Sequence, residues 1–468
     1  MTRKGSTVRA FLSALCLLFS NLSMFMNQHF ASLGVACSIL LASASASAQD
    51  AAPEVEPWNA KFQATYIWQK HPGFSAAYSG PNSLLPTPEK SYSFTSTAYL
   101  GLRLARDTEL YFNPEAVQGV AFSGLTGLGG LNNSELQKTA GPNLTLYRAR
   151  LFVRQTWGLG GEREAVESQA NQLGGSRDKN RVVLTAGNLA ASDLFDGNAY
   201  AHDARTQFMN WSFLTHGAYD FAADARGYSW GAALEYFGDD WAIRAGRFAQ
   251  PKEPNGLPLD FAMGRHYGDQ VEVEKSYQLS GQPGKVRLLV FRNQVYTGGF
   301  SDALANAAVT GGVPDTASVR RLQSKTGVGL NMEQALSPDM GVFARLARSN
   351  GKTEVYAFAE IDRSLSAGAT LQGSRWGRPN DSLGIAYAQN GLSSSHQAFL
   401  AAGGIGFFVG DGALNYRPEK IVEGYYSLGL PLLKQSAVSL GMQYIRNPGY
   451  NADRGPVKVV SVRLHTEF

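Results

Sequence analysis

The chain has 468 residues, of which 17% are charged and 11% aromatic, with 51 glycines. The charged share falls below the roughly 25% of an ordinary soluble domain, and the length suits one barrel of about 16 strands without a second domain. A formal net charge of +4 excludes bulk electrostatic attraction to nucleic acid or polyanions, while low charge with many aromatics and glycines leaves membrane barrels and secreted β-sandwiches both open.

Residues 1–48 read as a secretory signal. Arg3, Lys4 and Arg9 open it, and no acidic residue occurs in it. Apolar stretches at 11–19 and 33–41 precede a small-residue run that ends in Ala46-Ser47-Ala48 before Gln49, the small-x-small cleavage pattern. Each apolar stretch is well short of the roughly 20 residues a spanning helix needs. The segment is long for a signal, so Met24 and Met26 are alternative starts. Both cysteines, Cys16 and Cys37, fall inside it, which leaves the exported chain without disulfides or thiolate chemistry. Without the three leader cations, 39 basic residues face 38 acidic ones.

A short acidic, proline-containing lead follows at 49–57. From residue 58 onward, alternation with a period of two recurs to the end. Glu109, Tyr111, Asn113 and Glu115 alternate with Leu110 and Phe112. Between 146 and 157, Tyr147, Ala149, Leu151, Val153 and Trp157 fall on one side, and Arg148, Arg150, Phe152, Arg154 and Thr156 on the other. Three arginines on one strand face need water or carboxylates opposite them, which a water-filled lumen supplies and a dry sandwich core does not. Residues 162–173 carry a weak signal for a short helix or a solvated loop, and 303–308 a similar one. The segment 192–226 is rich in charge and aromatics without periodicity, and a connection of that length is usually functional or disordered. In a barrel such a segment can fold into the lumen and narrow it, and which of the long loops does so stays open.

Further along, Val342, Ala344 and Leu346 alternate with Phe343, Arg345 and Ala347. Glu354, Tyr356, Phe358, Glu360 and Asp362 share one parity. Leu383, Ile385 and Tyr387 alternate with small residues, and two more alternating segments follow at 422–430 and 438–444. The last segment places Val460, Val462, Leu464 and Phe468 on one face and Ser461, Arg463, His465 and Glu467 on the other. No apolar run after residue 48 approaches a spanning helix, so membrane insertion requires a closed barrel to satisfy the backbone. The expected fold is all-β: a transmembrane antiparallel β-barrel over 58–468, with a long loop narrowing the pore.

Several stretches then become recognisable. GKTEVYAFAEIDRSLSAGA (351–369), WGRPNDSLGIAYA (376–388), DARTQFMNW (203–211), RGYSWGAALE (226–235) and MQYIRNPGYN (442–451) together resemble the carbohydrate-selective porin family, the OprB-like porins of Gram-negative bacteria. The resemblance runs from about residue 58 to 468. It implies a 16-stranded barrel in the bacterial outer membrane and passive diffusion of glucose-like monosaccharides into the periplasm. Small sugars, outer-membrane lipid and lipopolysaccharide are the partners it implies. The apolar last strand ending on Phe468 resembles the signal read by the outer-membrane assembly machinery. Monomer and homotrimer both stay open.

A sugar crossing a constriction exchanges water for hydrogen bonds from planar arginine forks and to carboxylates. Candidate pore residues are Arg148, Arg150 and Arg154 on one strand, Glu115 on the acidic face of another, and Arg345, Glu360, Asp362 and Trp230. The bland use of the same charges is to pair across the wall and brace it. The arginine ladder also motivates a rival solute, anions or acidic saccharides, moved by a porin or exporter. Enzymatic readings find little support. GxSxG and HExxH are absent, and no catalytic residue, metal or cofactor is expected.

Overall fold

The computed structural model describes residues 55–431, 433 and 435–468. The expected export signal at 1–48 and most of the lead, 49–54, lie outside these residues. The alternating segments become sixteen barrel strands. The first four are β1 Trp58–His71, β2 Glu89–Ala105, β3 Thr108–Val120 and β4 Thr145–Gly158. Then come β5 Arg181–Leu189, β6 Ser229–Phe237, β7 Trp241–Pro251 and β8 Tyr267–Leu279. β9 Gln282–Thr297, β10 Arg321–Ser337, β11 Met340–Ser349 and β12 Arg363–Gln372 follow. β13 Ser382–Gly391, β14 Glu419–Gly429, β15 Ser436–Arg446 and β16 Val457–Glu467 complete the wall.

Each strand runs antiparallel to its neighbours, and β1 pairs with both β2 and β16, so the sheet closes on itself. At the seam Gln63 faces Glu467 and Lys70 faces Val460. Phe62 and Phe468 exchange backbone hydrogen bonds of 3.1 and 2.9 Å, with their rings 6.2 Å apart. Closure leaves no unpaired edge, the condition for a β-structure in lipid.

Alternation sorts side chains by solvent. On β16, Ser461, Arg463 and His465 are buried inward while Val460 and Leu464 are exposed outward. β1 does the same with Gln63, Thr65 and Gln69 against Phe62 and Tyr66. Leu440 and Ile385, 61% and 60% exposed, mark how fully the outer face is given to lipid. Tight turns such as 106–107, 280–281 and 338–339 join the strands at one end. At the other end the connections are long, including 121–144, 190–228 and 392–418. Short turns face the periplasm and long loops the exterior.

The long loops fold inward. Three helices belong to them: α1 Trp211–Leu214, α2 Phe300–Thr310 and α3 Ser394–Ala401. The helical signal at 303–308 falls within α2. The one at 162–173 does not form a helix. Arg163–Val166 pairs with Gly175–Asp178 in a small periplasmic hairpin, because glycine pairs at 160–161 and 174–175 break the chain on either side.

The inward loops fill much of the lumen. Phe208 packs on Phe213, Phe343 and Tyr425 at 5.4, 5.7 and 5.1 Å, and Trp211 stacks on Phe358 at 5.0 Å. Carboxylates clamp this fill by accepting backbone N–H groups. Glu423 on β14 accepts from Met209 and Asn210 at 2.6 and 2.9 Å. Asp220 accepts from Tyr356, Ala357 and Phe358 at 2.8, 2.8 and 3.0 Å, and pairs with Lys325 Nζ at 2.9 Å. Such charge-assisted bonds are about twice as strong as neutral ones.

Candidate pore constriction

The open space left by the loops is off-centre. Two chambers of about 340 and 460 Å³ lie along the β4–β6 wall and share Asp193 and His202 as lining residues. The first is lined by Arg150, Arg205, Tyr228 and Lys138 on the loop side. The second is lined by Arg154, Arg177, Arg181 and Glu235 toward the periplasm. Asp193 and His202 stand where the two chambers adjoin.

Two arginine–carboxylate groups line the first chamber. Arg150, inward on β4, donates from Nε and Nη2 to the two Asp193 oxygens at 2.7 and 2.6 Å, and its guanidinium lies 5.1 Å from the Tyr228 ring. Asp193 sits at the start of the 190–228 loop, where its Oδ2 also accepts from the Ala190 N–H at 3.0 Å. Arg205, from the same loop, donates Nε to Glu135 at 2.7 Å, Nη1 to the Tyr99 hydroxyl at 2.6 Å and Nη2 to Glu115 at 3.3 Å. Glu115 in turn accepts from Thr97 at 2.6 Å, from Tyr228 at 3.2 Å and from Tyr147. His202 faces two backbone carbonyls, Leu214 O at 2.9 Å and Ser192 O at 3.1 Å.

Burial and charge compete at these loop groups. Burial raises the Asp203 carboxyl, but the Arg205 charge together with hydrogen bonds from the Thr206 hydroxyl and the Arg205 N–H outweighs that and holds it below the ordinary carboxylate range. At Glu135 burial prevails over Arg205 and the carboxyl sits above its ordinary value. Burial pulls the Lys138 ammonium down to about 8. Lys138 donates to Asn255 at 2.6 Å and to the Ala357 carbonyl, with the Phe407 and Phe408 rings within 5.8 and 5.7 Å.

The sequence-predicted residues separate into three sets. Arg150, Arg154 and Glu115 face the passage or stand directly behind its lining. Arg154 donates Nη1 to Asn171 O at 2.9 Å, from the periplasmic hairpin, and lies 5.2 Å from the Tyr111 ring. Arg148 and Trp230 instead face outward. Pro114 on β3 has no N–H to give the ladder, and the register shifts between Asn113 and Pro114, so Ala149 on β4 becomes the unpaired extra residue. Tyr147 then joins the inward face and Arg148, opposite Pro114, turns out, 5.2 Å from the Trp230 ring. Trp230 shares the face of Leu234 and Tyr236, which are exposed outward.

Arg345, Glu360 and Asp362 form the third set, buried in the loop fill away from the passage. Arg345 pairs with Asp196 at 3.3 Å and donates to Phe213 O at 2.9 Å. Glu360 accepts from the Phe408 and Val409 N–H groups at 2.7 and 2.8 Å. Asp362 accepts from Ser393 N at 2.9 Å and meets His396 Nδ1 at 2.9 Å. The shared parity of 354–362 is not that of a strand, because the N–H groups of 356–358 go to the Asp220 carboxylate rather than to a neighbouring strand. Asp193, Arg205, Glu135 and Tyr228 also line the first chamber and lie in loops. Arg205 and Tyr228 fall within the family-like stretches 203–211 and 226–235, and Asp193 within the charge-rich segment 192–226, but no periodicity singles any of them out.

The model of the carbohydrate-selective porin family, OprB, matches residues 88–468. The chain belongs to that family. Like other members it is a passive channel of the bacterial outer membrane that carries carbohydrate, and it is not an enzyme. OprB of Pseudomonas putida superposes with a TM-score of 0.66 at 15% identity, over 88% of this chain and 94% of that one. The shared architecture is the sixteen-stranded antiparallel barrel. OccAB1 of Acinetobacter baumannii matches with a TM-score of 0.48 at 9% identity, over 88% and 97% of the two chains. OccK8 of Pseudomonas aeruginosa does so with 0.45 at 8%, over 88% and 98%. No curated protein sequence is a significant match.

Proposed function

We propose that the Arg150–Asp193 and Arg205–Glu135 groups, with the Tyr228 ring between them, form a sieve that admits glucose-like monosaccharides and slows larger saccharides. The observation that carries this is the planar Arg150–Asp193 fork beside an aromatic face, with Asp193 shared by the two chambers. A sugar hydroxyl can accept from the guanidinium edge and donate to the carboxylate, while its ring face stacks on tyrosine. Few contacts keep the residence short, as flux requires. Arg154 serves as a second station toward the periplasm.

Several further assignments go with this reading. Residues 1–48 direct export, and the outward apolar side chains of β16 up to Phe468 are the surface read during assembly. One chain encloses the whole passage, so permeation does not need a second copy.

Liposome swelling over a series from pentose to trisaccharide is the test. Arg150→Ala is expected to raise the rate for disaccharides relative to glucose several-fold, and Arg154→Ala to change glucose permeation or block by a smaller factor. Size dependence identical to wild type in Arg150→Ala would remove the fork from the sieve. A second reading, preference for acidic saccharides, draws on Arg154, Arg177 and Arg181 around the inner chamber. Strong anion selectivity in single-channel recordings without current block by glucose favours it.

A further inference from the structure

The outward face of the barrel is apolar through its middle but basic at its extracellular end. Three pairs of cations stand directly opposite each other there on adjacent strands: Lys70 and Lys90 on β1–β2, Arg348 and Arg363 on β11–β12, and Lys420 and Arg446 on β14–β15. Side chains directly opposite in an antiparallel pair are about 5 Å apart at Cβ, and like charges in that position are destabilising. Among the described residues, the one carboxylate on the outward face of a barrel strand is Asp269, and Arg247 holds both its oxygens at 2.7 and 2.8 Å. Arg363 reaches a single weak acceptor, the Tyr416 hydroxyl at 3.5 Å. The other five cations make no hydrogen bond or ion pair with described residues, and all but the half-buried Lys420 are exposed.

A wall that sets like charges against each other three times, on one face and at one end, is built for a counter-charge that the described residues do not supply. That face meets the outer leaflet at the depth of its headgroups. We propose that these three pairs bind the phosphomonoesters of outer-leaflet glycolipid, each phosphate bridging the two cations of one pair. The proposal rests on the outer-membrane placement of the barrel and not on the sieve. Phosphate offers several acceptor oxygens to two donors, and the apolar band below each pair meets the acyl chains of the same lipid.

The test uses the full barrel in a neutral detergent, titrated with bisphosphorylated lipid A and followed by native mass spectrometry and thermal unfolding. Binding at least tenfold tighter than to the dephosphorylated lipid is expected. Lys70→Gln/Lys90→Gln and Lys420→Gln/Arg446→Gln should each lose one bound lipid, while Lys275→Gln, outward at the periplasmic end, should lose none. In lipid-free detergent both double variants should melt at or above wild type, since a repulsion has been removed. Equal affinity for the dephosphorylated lipid, unchanged stoichiometry in both double variants, or a melting point raised as much by inorganic phosphate would overturn the proposal. So would lower lipid-free melting in the double variants, which would make the pairs braces of the wall. Glucose swelling on the same preparations should be unchanged, separating loss of the lipid surface from loss of the channel.

Discussion

At the scale of single residues, Lys138 gives the passage a charge that changes near neutrality. Its ammonium lines the outer chamber and is pulled by burial to about 8. About nine-tenths of it is charged at pH 7 and about one-tenth at pH 9. Anion-over-cation preference in single-channel recordings should therefore fall between those values, and Lys138→Met should show the pH 9 behaviour already at pH 7. The folded chain holds this proton less tightly than the unfolded chain, whose lysine has its ordinary value of 10.5. The contribution to stability thus rises from about pH 8 to 10.5 rather than falling. Legibility in the sequence differs just as sharply from residue to residue. Arg150 and Arg154 were readable because inward and outward positions alternate. Arg148 was misplaced because a bulge reverses the alternation, although Pro114 inside a strand is a recognised mark of such a break.

Elements divide into those that build the wall and those that fill it. The wall was legible: each strand carries its own alternating pattern, and closure follows from the need to leave no edge in lipid. The fill was not, because inward loops are positioned by clamps between residues far apart in sequence, such as Asp220 with Lys325 and the 356–358 backbone. Glu360 and Asp362 read as pore residues in the sequence for the same reason; nothing local distinguishes a clamp from a lining. Asp220→Ala leaves Lys325 buried without its partner, a loss of about 3–5 kcal/mol by analogy with broken buried pairs. The expected result is a freed loop, seen as larger and noisier conductance with weaker size discrimination. Burial raises the Asp220 carboxyl, but Lys325 and the three N–H groups outweigh it and hold it below the ordinary range. Its stabilising contribution is therefore full above that range and lost as the pH falls below it, so the wild type should acquire the same noisy openings in acid.

Across the whole molecule, closure and filling set stability together. The seam rests on the register from Gln63↔Glu467 to Lys70↔Val460 and on the Phe62–Phe468 stack. Phe468→Ala should lower the yield of folded barrel in membranes. Barrels that do fold should retain heat-modifiable migration on gels and glucose permeation; unchanged yield would make the stack dispensable.

The eccentric position of the passage has an evolutionary consequence. The lining of its two chambers comes chiefly from one stretch of chain, roughly 97–237, while the remaining strands and plugs hold the scaffold upright. Selection on diet can then act on about a third of the gene with little risk to assembly. Relatives that eat differently would be expected to diverge fastest there, and exchanging that stretch between two of them should carry the appetite of one into the frame of the other.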